Sequence, residues 1–279
     1  MDLGPQSPIH TMSQLQTIWN HRPLVANFAQ RELKSRYRRS LLGWTWSLIN
    51  PLSTILIYTL VFSTIFRATP PPMGNGTENF ALYLFSGIVS WNLFATMVTG
   101  PMDWLAGVAD LLRKIRFPPD AAIFGGASSG AVQTLIESAV LLAVMAVVGN
   151  SATQMILLPY VLFTTMMFGL GIGFVLSIAN AHFRDVRHLV AVVLNMLFFL
   201  CPIVYPPSLV PEEKWGVPLL DIVSLNPMYQ YIAATRDSTY LGEWSSWLRL
   251  GSIGVVAVVT FAAGWSYFVK ASVDISEEL

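Results

Sequence analysis

The feature that most restricts this chain is a change of character at residue 43. Arg31, Lys34, Arg36, Arg38 and Arg39 place five cations within nine residues, and from Trp44 to Phe66 no charge follows. Such a run meets the requirement of about 20 apolar residues to cross a bilayer's hydrocarbon core. Lys and Arg accumulate on the cytoplasmic flanks of membrane spans, so the basic stretch marks the inner side of a first span. Trp44 and Trp46 suit the headgroup level there, where an indole satisfies both its apolar body and its N–H. Composition agrees, because 54% hydrophobic and 11% charged residues, with a mean hydropathy of +0.56, exclude an ordinary soluble domain and indicate a polytopic membrane protein. One cysteine, Cys201, allows neither an intrachain disulfide nor a thiolate metal cluster.

Residues 1–10, with Gly4, Pro5 and Pro8, lack the apolar core of a secretory signal and read as a loose tail. A short amphipathic helix is expected from Thr11, with Leu15, Ile18 and Trp19 on one face, until Pro23 interrupts it. In a second helix Ala26, Ala29, Leu33 and Tyr37 align while Arg31, Lys34 and Arg38 point elsewhere. It can lie in the membrane interface, or pack its basic face over cytoplasmic loops. Six spans are predicted near Trp44–Phe66, Phe80–Thr99, Ala121–Val148, Gln154–Asn180, Leu189–Tyr205 and Trp247–Lys270. Small and polar residues in the third and three glycines in the fourth suit close helix contact, although glycines alone do not separate a contact from a loop. Twelve Lys and Arg residues fall in the connections assigned to the cytoplasm and four outside, which puts both termini inside. The expected organisation is therefore a tail with amphipathic helices over 1–43, a six-span domain over 44–270 and a short tail over 271–279. Asn75-Gly76-Thr77 matches a glycosylation acceptor, a triplet that also arises by chance.

Two inner connections are short: Asp110–Phe117, expected as one amphipathic helical burst closed by Pro118-Pro119, and the charged link His182–His188. Either can dock a cytosolic partner or sit on lipid phosphates. Between the fifth and sixth spans lies a proline-rich stretch whose apolar pieces, Val217–Leu225 and Met228–Ala234, are too short to cross and are expected to re-enter from outside. Its aromatic residues, with Tyr205, Tyr229 and Tyr231 among them, suit sugar rings at an outer mouth or an interfacial belt.

No G-x-x-x-x-G-K-[ST] and no H-E-x-x-H occur, and the four histidines have no ligand companions at metal-binding spacing. Hydrolysis, group transfer and metal chemistry lack a candidate, which leaves a conduit. Glu137 is the ionisable residue well inside a span; it reads as a proton or substrate site, or as a hydrogen-bonding group between helices.

The run Arg31-Glu-Leu-Lys-Ser-Arg-Tyr-Arg-Arg-Ser-Leu-Leu-Gly-Trp-Thr-Trp-Ser-Leu-Ile-Asn-Pro-Leu52 resembles the approach to the first span in polysaccharide-export permeases of the ABC transporter superfamily, the Wzm-like class. Leu112–Pro118, Phe183–Val186, Pro202–Tyr205 and Asn226–Met228 continue the likeness in order along nearly the whole chain. The resemblance implies an all-α membrane protein in the bacterial plasma membrane, with six spans, an amphipathic cytoplasmic helix and external re-entrant helices. It implies a permease working with a second copy of itself and two copies of a cytosolic ATPase. ATP and magnesium belong to that partner; no cofactor and no nucleic acid are bound by this chain. Lipid-linked polysaccharide of O-antigen, teichoic-acid or galactan type is moved outward among the membrane lipids. By the same likeness Asp110, Leu112, Arg113, Lys114, Ile115, Arg116 and Phe117 form the coupling helix, with Arg184, Asp185 and Arg187 a second contact. Arg36, Arg38, Arg39, Leu42, Gly43 and Trp44 form the interfacial approach. Tyr205, Tyr229, Tyr231 and Glu137 are the substrate-path candidates. The rival readings are a drug or lipid exporter of the same fold, a proton-coupled carrier using Glu137 and a membrane enzyme acting on lipid-linked sugar.

Overall fold

The computed structural model describes residues 16, 18–36, 43–65, 69–115, 117–211 and 218–278, with the side chains of 36, 44, 63 and 273–278 excepted. The calls on Arg38, Arg39, Leu42 and Arg116, and half of the first expected amphipathic helix, Leu15 included, lie outside the described residues. All regular structure among those described is helical.

Helix α1 (Arg22–Arg36) begins after a turn at His21 and carries Pro23 in its first turn, where an N–H has no helical partner to lose. Its buried side chain is Phe28, flanked by Leu24 and Val25, whereas Ala26, expected on the apolar face, is exposed. The reason is its neighbour: α1 packs on α5 (Asp120–Val147). Gly125 of α5 leaves room for Phe28, since a Cβ there would stand 2.5 Å from that of Phe28. The apolar side of α1 therefore faces protein.

Helix α2 (Trp46–Tyr58) continues through a π-helical stretch (Thr59–Ile65). After it come α3 (Phe80–Ala106), the single turn α4 (Ala109–Leu112), α5, α6 (Leu158–His182) behind a 3-10 lead-in, and α7 (Val186–Leu200). The short α8 (Leu219–Leu225) and α9 (Pro227–Arg236) precede the long α10 (Trp247–Glu278). Four of these, α3, α5, α6 with its lead-in and α10, are long and apolar enough to cross a membrane; α2 and α7 are apolar but shorter. Helix α7 stops five residues before its expected end. Cys201 precedes Pro202 and takes the extended conformation that a following proline imposes. At the other extreme α10 runs to Glu278, through the segment expected as a separate tail.

Helix α3 is the hub, apolar all round and buried along most of its length, with α2, α5, α6, α7 and α9 against it. Gly169 and Gly173 bring α6 onto α3, and Gly171 meets Gly264 of α10 backbone to backbone. Here the glycines make helix contacts, closing the question that sequence left open.

The connections gather at two ends. At one, Asn150 Nδ2 donates to Thr239 O and Tyr240 O at 3.1 and 3.0 Å, and the Tyr240 hydroxyl donates to Pro71 O at 2.8 Å. Burial pushes the Tyr240 phenol up to about 12, so it remains a donor. Asn75 Nδ2 donates to Val148 O at 3.0 Å and Asn75 Oδ1 accepts from Thr77 Oγ1 at 2.7 Å, so this triplet is a turn with its carboxamide engaged. At the other end lie α1, α4 and the link between α6 and α7, the basic side of the molecule.

Candidate functional site

At the basic end the two short connections meet around a cavity of about 600 Å³, walled by Asp110 and Arg113 from one and Arg184, Arg187 and His188 from the other. Arg187 pairs with Asp103 at 3.1 Å, joining the start of α7 to the end of α3. The helical burst expected over 110–117 is only α4, followed by a turn in which Lys114 N and Ile115 N both donate to Leu111 O at 3.0 Å. Pro118-Pro119 follow at once, and a proline disfavours helix in the residue before it. Arg113, Lys114 and Ile115 are exposed, as are Arg184 and Asp185. Leu112 packs into the α1–α5 contact, and the Phe117 ring lies 5.6 Å from that of Phe28. The apolar residues expected to face a partner thus divide: Ile115 is free to do so, while Leu112 and Phe117 hold the connection to α1. Gly43, with φ +49°, opens the turn into α2; of Arg36 and Trp44 only the backbone is described.

A second cavity, of about 390 Å³, opens where α2, α3 and α7 come together. Thr54 and Tyr58 line it from α2, Ile88, Trp91 and Asn92 from α3, and Leu194, Asn195 and Phe198 from α7. Trp91 and Phe198 meet edge to face at 5.5 Å. Exposed carboxamides on apolar helices are poorly served by hydrocarbon, which offers no hydrogen bond. Amides that bond hydroxyls, beside aromatic faces that cover C–H surfaces, form a wall suited to sugar. Glu137 stands directly behind it, buried, accepting from Asn92 Nδ2 at 3.4 Å and Gln133 Nε2 at 3.2 Å. Gln133 also reaches Ser47 O at 3.3 Å, so this carboxylate ties α5 to α3 and, through Gln133, to α2.

The tyrosines singled out from sequence sit elsewhere. Tyr231 is fully buried, stacked on Phe168 at 5.4 Å with its hydroxyl donating to Ile253 O at 2.7 Å. Tyr205 is half-buried and donates to Phe199 O at 2.9 Å; Tyr229 is half-buried on α9. None of the three lines the α2–α3–α7 cavity. Sequence reasoning passed over the cavity's own residues, although Asn92 and Asn195, amides inside apolar runs, were a legible signal. Arg236, one of the four Lys and Arg residues counted outside the cytoplasmic connections, has a buried side chain.

A family model described as ABC-2 type transporter matches residues 24–240. The O-antigen export system permease protein RfbA of Myxococcus xanthus is 30% identical over 270 residues, covering 95% of this chain and 98% of its own. A Klebsiella pneumoniae protein of the same name is 24% identical over 259 residues, 92% of this chain and 95% of that one. The polysialic acid transport protein KpsM of Escherichia coli is 21% identical over 243 residues, 85% and 89% of the two chains.

Proposed function

The chain belongs to the ABC-2 type transporter family, and from that premise we propose that it is the permease subunit of an ATP-driven exporter of lipid-linked polysaccharide. The observation that carries this reading is the α2–α3–α7 cavity, where Asn92, Asn195, Thr54, Tyr58, Trp91 and Phe198 combine amide and aromatic chemistry on three apolar helices. The similarity to O-antigen and polysialic acid transport proteins supports a polymer as cargo. O-antigen, galactan and teichoic-acid polymers share the hydroxyl-rich rings such a wall accommodates.

In this reading α2 and α7 are the first and fifth of six spans and the basic end faces the cytoplasm of a bacterial inner membrane. The proline-bounded α8 and α9 re-enter from outside. A second copy completes the wall beyond α2 and α7, whose outward residues Leu52, Leu56, Val193 and Met196 are exposed. Two cytosolic ATPase subunits bind the face built by Arg113, Lys114, Ile115, Arg184, Asp185 and Arg187. Drug export by the same fold fits less well, since an apolar cargo gains nothing from two asparagines.

Replacing Asn92 and Asn195 together by Leu tests the assignment in cells that depend on export. Exported polymer is expected to fall by about tenfold or more, from hydrogen bonds lost along the path, while lipid-linked polymer builds up inside and permease level stays normal. Undiminished export by a correctly inserted double variant sinks the reading.

A further inference from the structure

Arg236 donates four hydrogen bonds from a buried guanidinium, and nothing in the transport reading uses it. It closes α9 and is 5% exposed. Among the described residues no carboxylate pairs with it. Its Nη1 donates to Pro202 O at 2.5 Å and to the Tyr83 hydroxyl at 2.8 Å, Nη2 to Ile203 O at 2.6 Å and Nε to Tyr83 O at 3.3 Å. The guanidinium also lies 3.8 Å from the centre of the Tyr83 ring. Arginine keeps its charge, so it tolerates such burial only where its planar fork of donors is met on every side. Gly87 of α3 makes the room, because a Cβ there would stand 2.8 Å from Nη2.

What these bonds hold is the end of α7. Pro202 breaks the helix, and the carbonyls beyond the break lose the N–H groups that a continuing helix would bring. Arg236 supplies donors to two of them from another element. The same stretch is gripped by Asn226 Nδ2 on Cys201 Sγ at 3.2 Å and by the Tyr205 hydroxyl on Phe199 O. Phe198 and Asn195, which wall the cavity, lie on the turns just before it. We infer that Arg236 is a positioning residue: through Pro202 and Ile203 it fixes the end of α7 against Tyr83 of α3, and so sets the width of the cavity between α7 and α2.

The inference rests on the polymer-path reading only for its export readout; the width is measured separately. Spin labels at Thr54→Cys and Asn195→Cys, in the full chain with its ATPase in lipid nanodiscs, report the α2–α7 distance by pulsed electron resonance. Cys201, the single native cysteine, is fully buried and stays unlabelled. Arg236→Gln, which removes the charge and most of the fork, is expected to shift and broaden that distance. In the otherwise native chain it should lower export by about tenfold or more. If Arg236→Gln does not accumulate in the membrane, Gly87→Ala, which displaces the guanidinium without deleting it, is measured in the same way. An unchanged distance in whichever variant folds overturns the inference. A shifted distance with export intact supports the positioning role and instead removes the cavity from the polymer's path.

Discussion

Glu137 shows how little a residue's identity says until its neighbours are known. A carboxylate within a span suggests proton coupling, but this one accepts hydrogen bonds from Asn92 and Gln133, so it serves as a junction between helices. The two uses respond differently to substitution. Glu137→Gln removes the titratable group and keeps a carbonyl acceptor for one of the two amides, and is expected to leave export within about fivefold of normal, one lost hydrogen bond being worth about 1 kcal/mol. A proton-coupled carrier would lose transport outright, so abolished export in this variant, at normal membrane level, would revive that alternative. Glu137→Leu instead takes the acceptor from both amides, at about 1 kcal/mol for each hydrogen bond lost, seen as a lower unfolding temperature in detergent.

At the scale of elements, the connection between α3 and α5 divides its apolar residues between two tasks. Phe117 and Leu112 face α1 and α5, while Ile115 faces outward at 52% exposure. Ile115→Asp is therefore expected to weaken copurification with the ATPase by several kcal/mol, an unpaired charge being buried at the contact, with the permease's own unfolding unchanged. Phe117→Ala should do the reverse and destabilise the α1–α5 contact by about 2 kcal/mol. If Ile115→Asp copurifies normally, this face is not the docking site; if Phe117→Ala leaves stability untouched, the ring contact with Phe28 carries nothing.

For the molecule as a whole, the arrangement depends on helices that approach closer than side chains allow. Gly171 on α6 and Gly264 on α10 meet with backbone against backbone, the kind of contact that holds membrane helices together where lipid and side chain are equally apolar. Gly264→Ala forces the pair apart and should cost about 1–3 kcal/mol, the usual penalty of overpacking. Gly251, on the same helix with no atom within 4 Å of a Cβ, is the matched control. There alanine should be neutral or gain up to about 1 kcal/mol. Equal unfolding temperatures for the two variants would show that the α6–α10 contact is not limiting.

Some of this protein could be read from sequence because it follows from local chemistry. Apolar length set where the long helices lie, and the density of Lys and Arg separated the two ends. Proline alone did not place the stops: the fifth span, expected to run past Pro202, ends as α7 at Leu200, and the burst expected to run up to Pro118 ends as α4 at Leu112. The two short apolar pieces after Pro218 and Asn226 were legible from their length, and they form α8 and α9. Tertiary structure decided which face of each element meets protein. Hydrophobicity does not tell Tyr231, spent in the core, from Trp91, which walls a cavity, and a charge count does not tell an exposed arginine from Arg236. The α2–α3–α7 cavity draws its residues from three stretches far apart in the chain. Whether Asn92 and Asn195 share one space depends on how α2 and α7 lean on α3, which only packing settles.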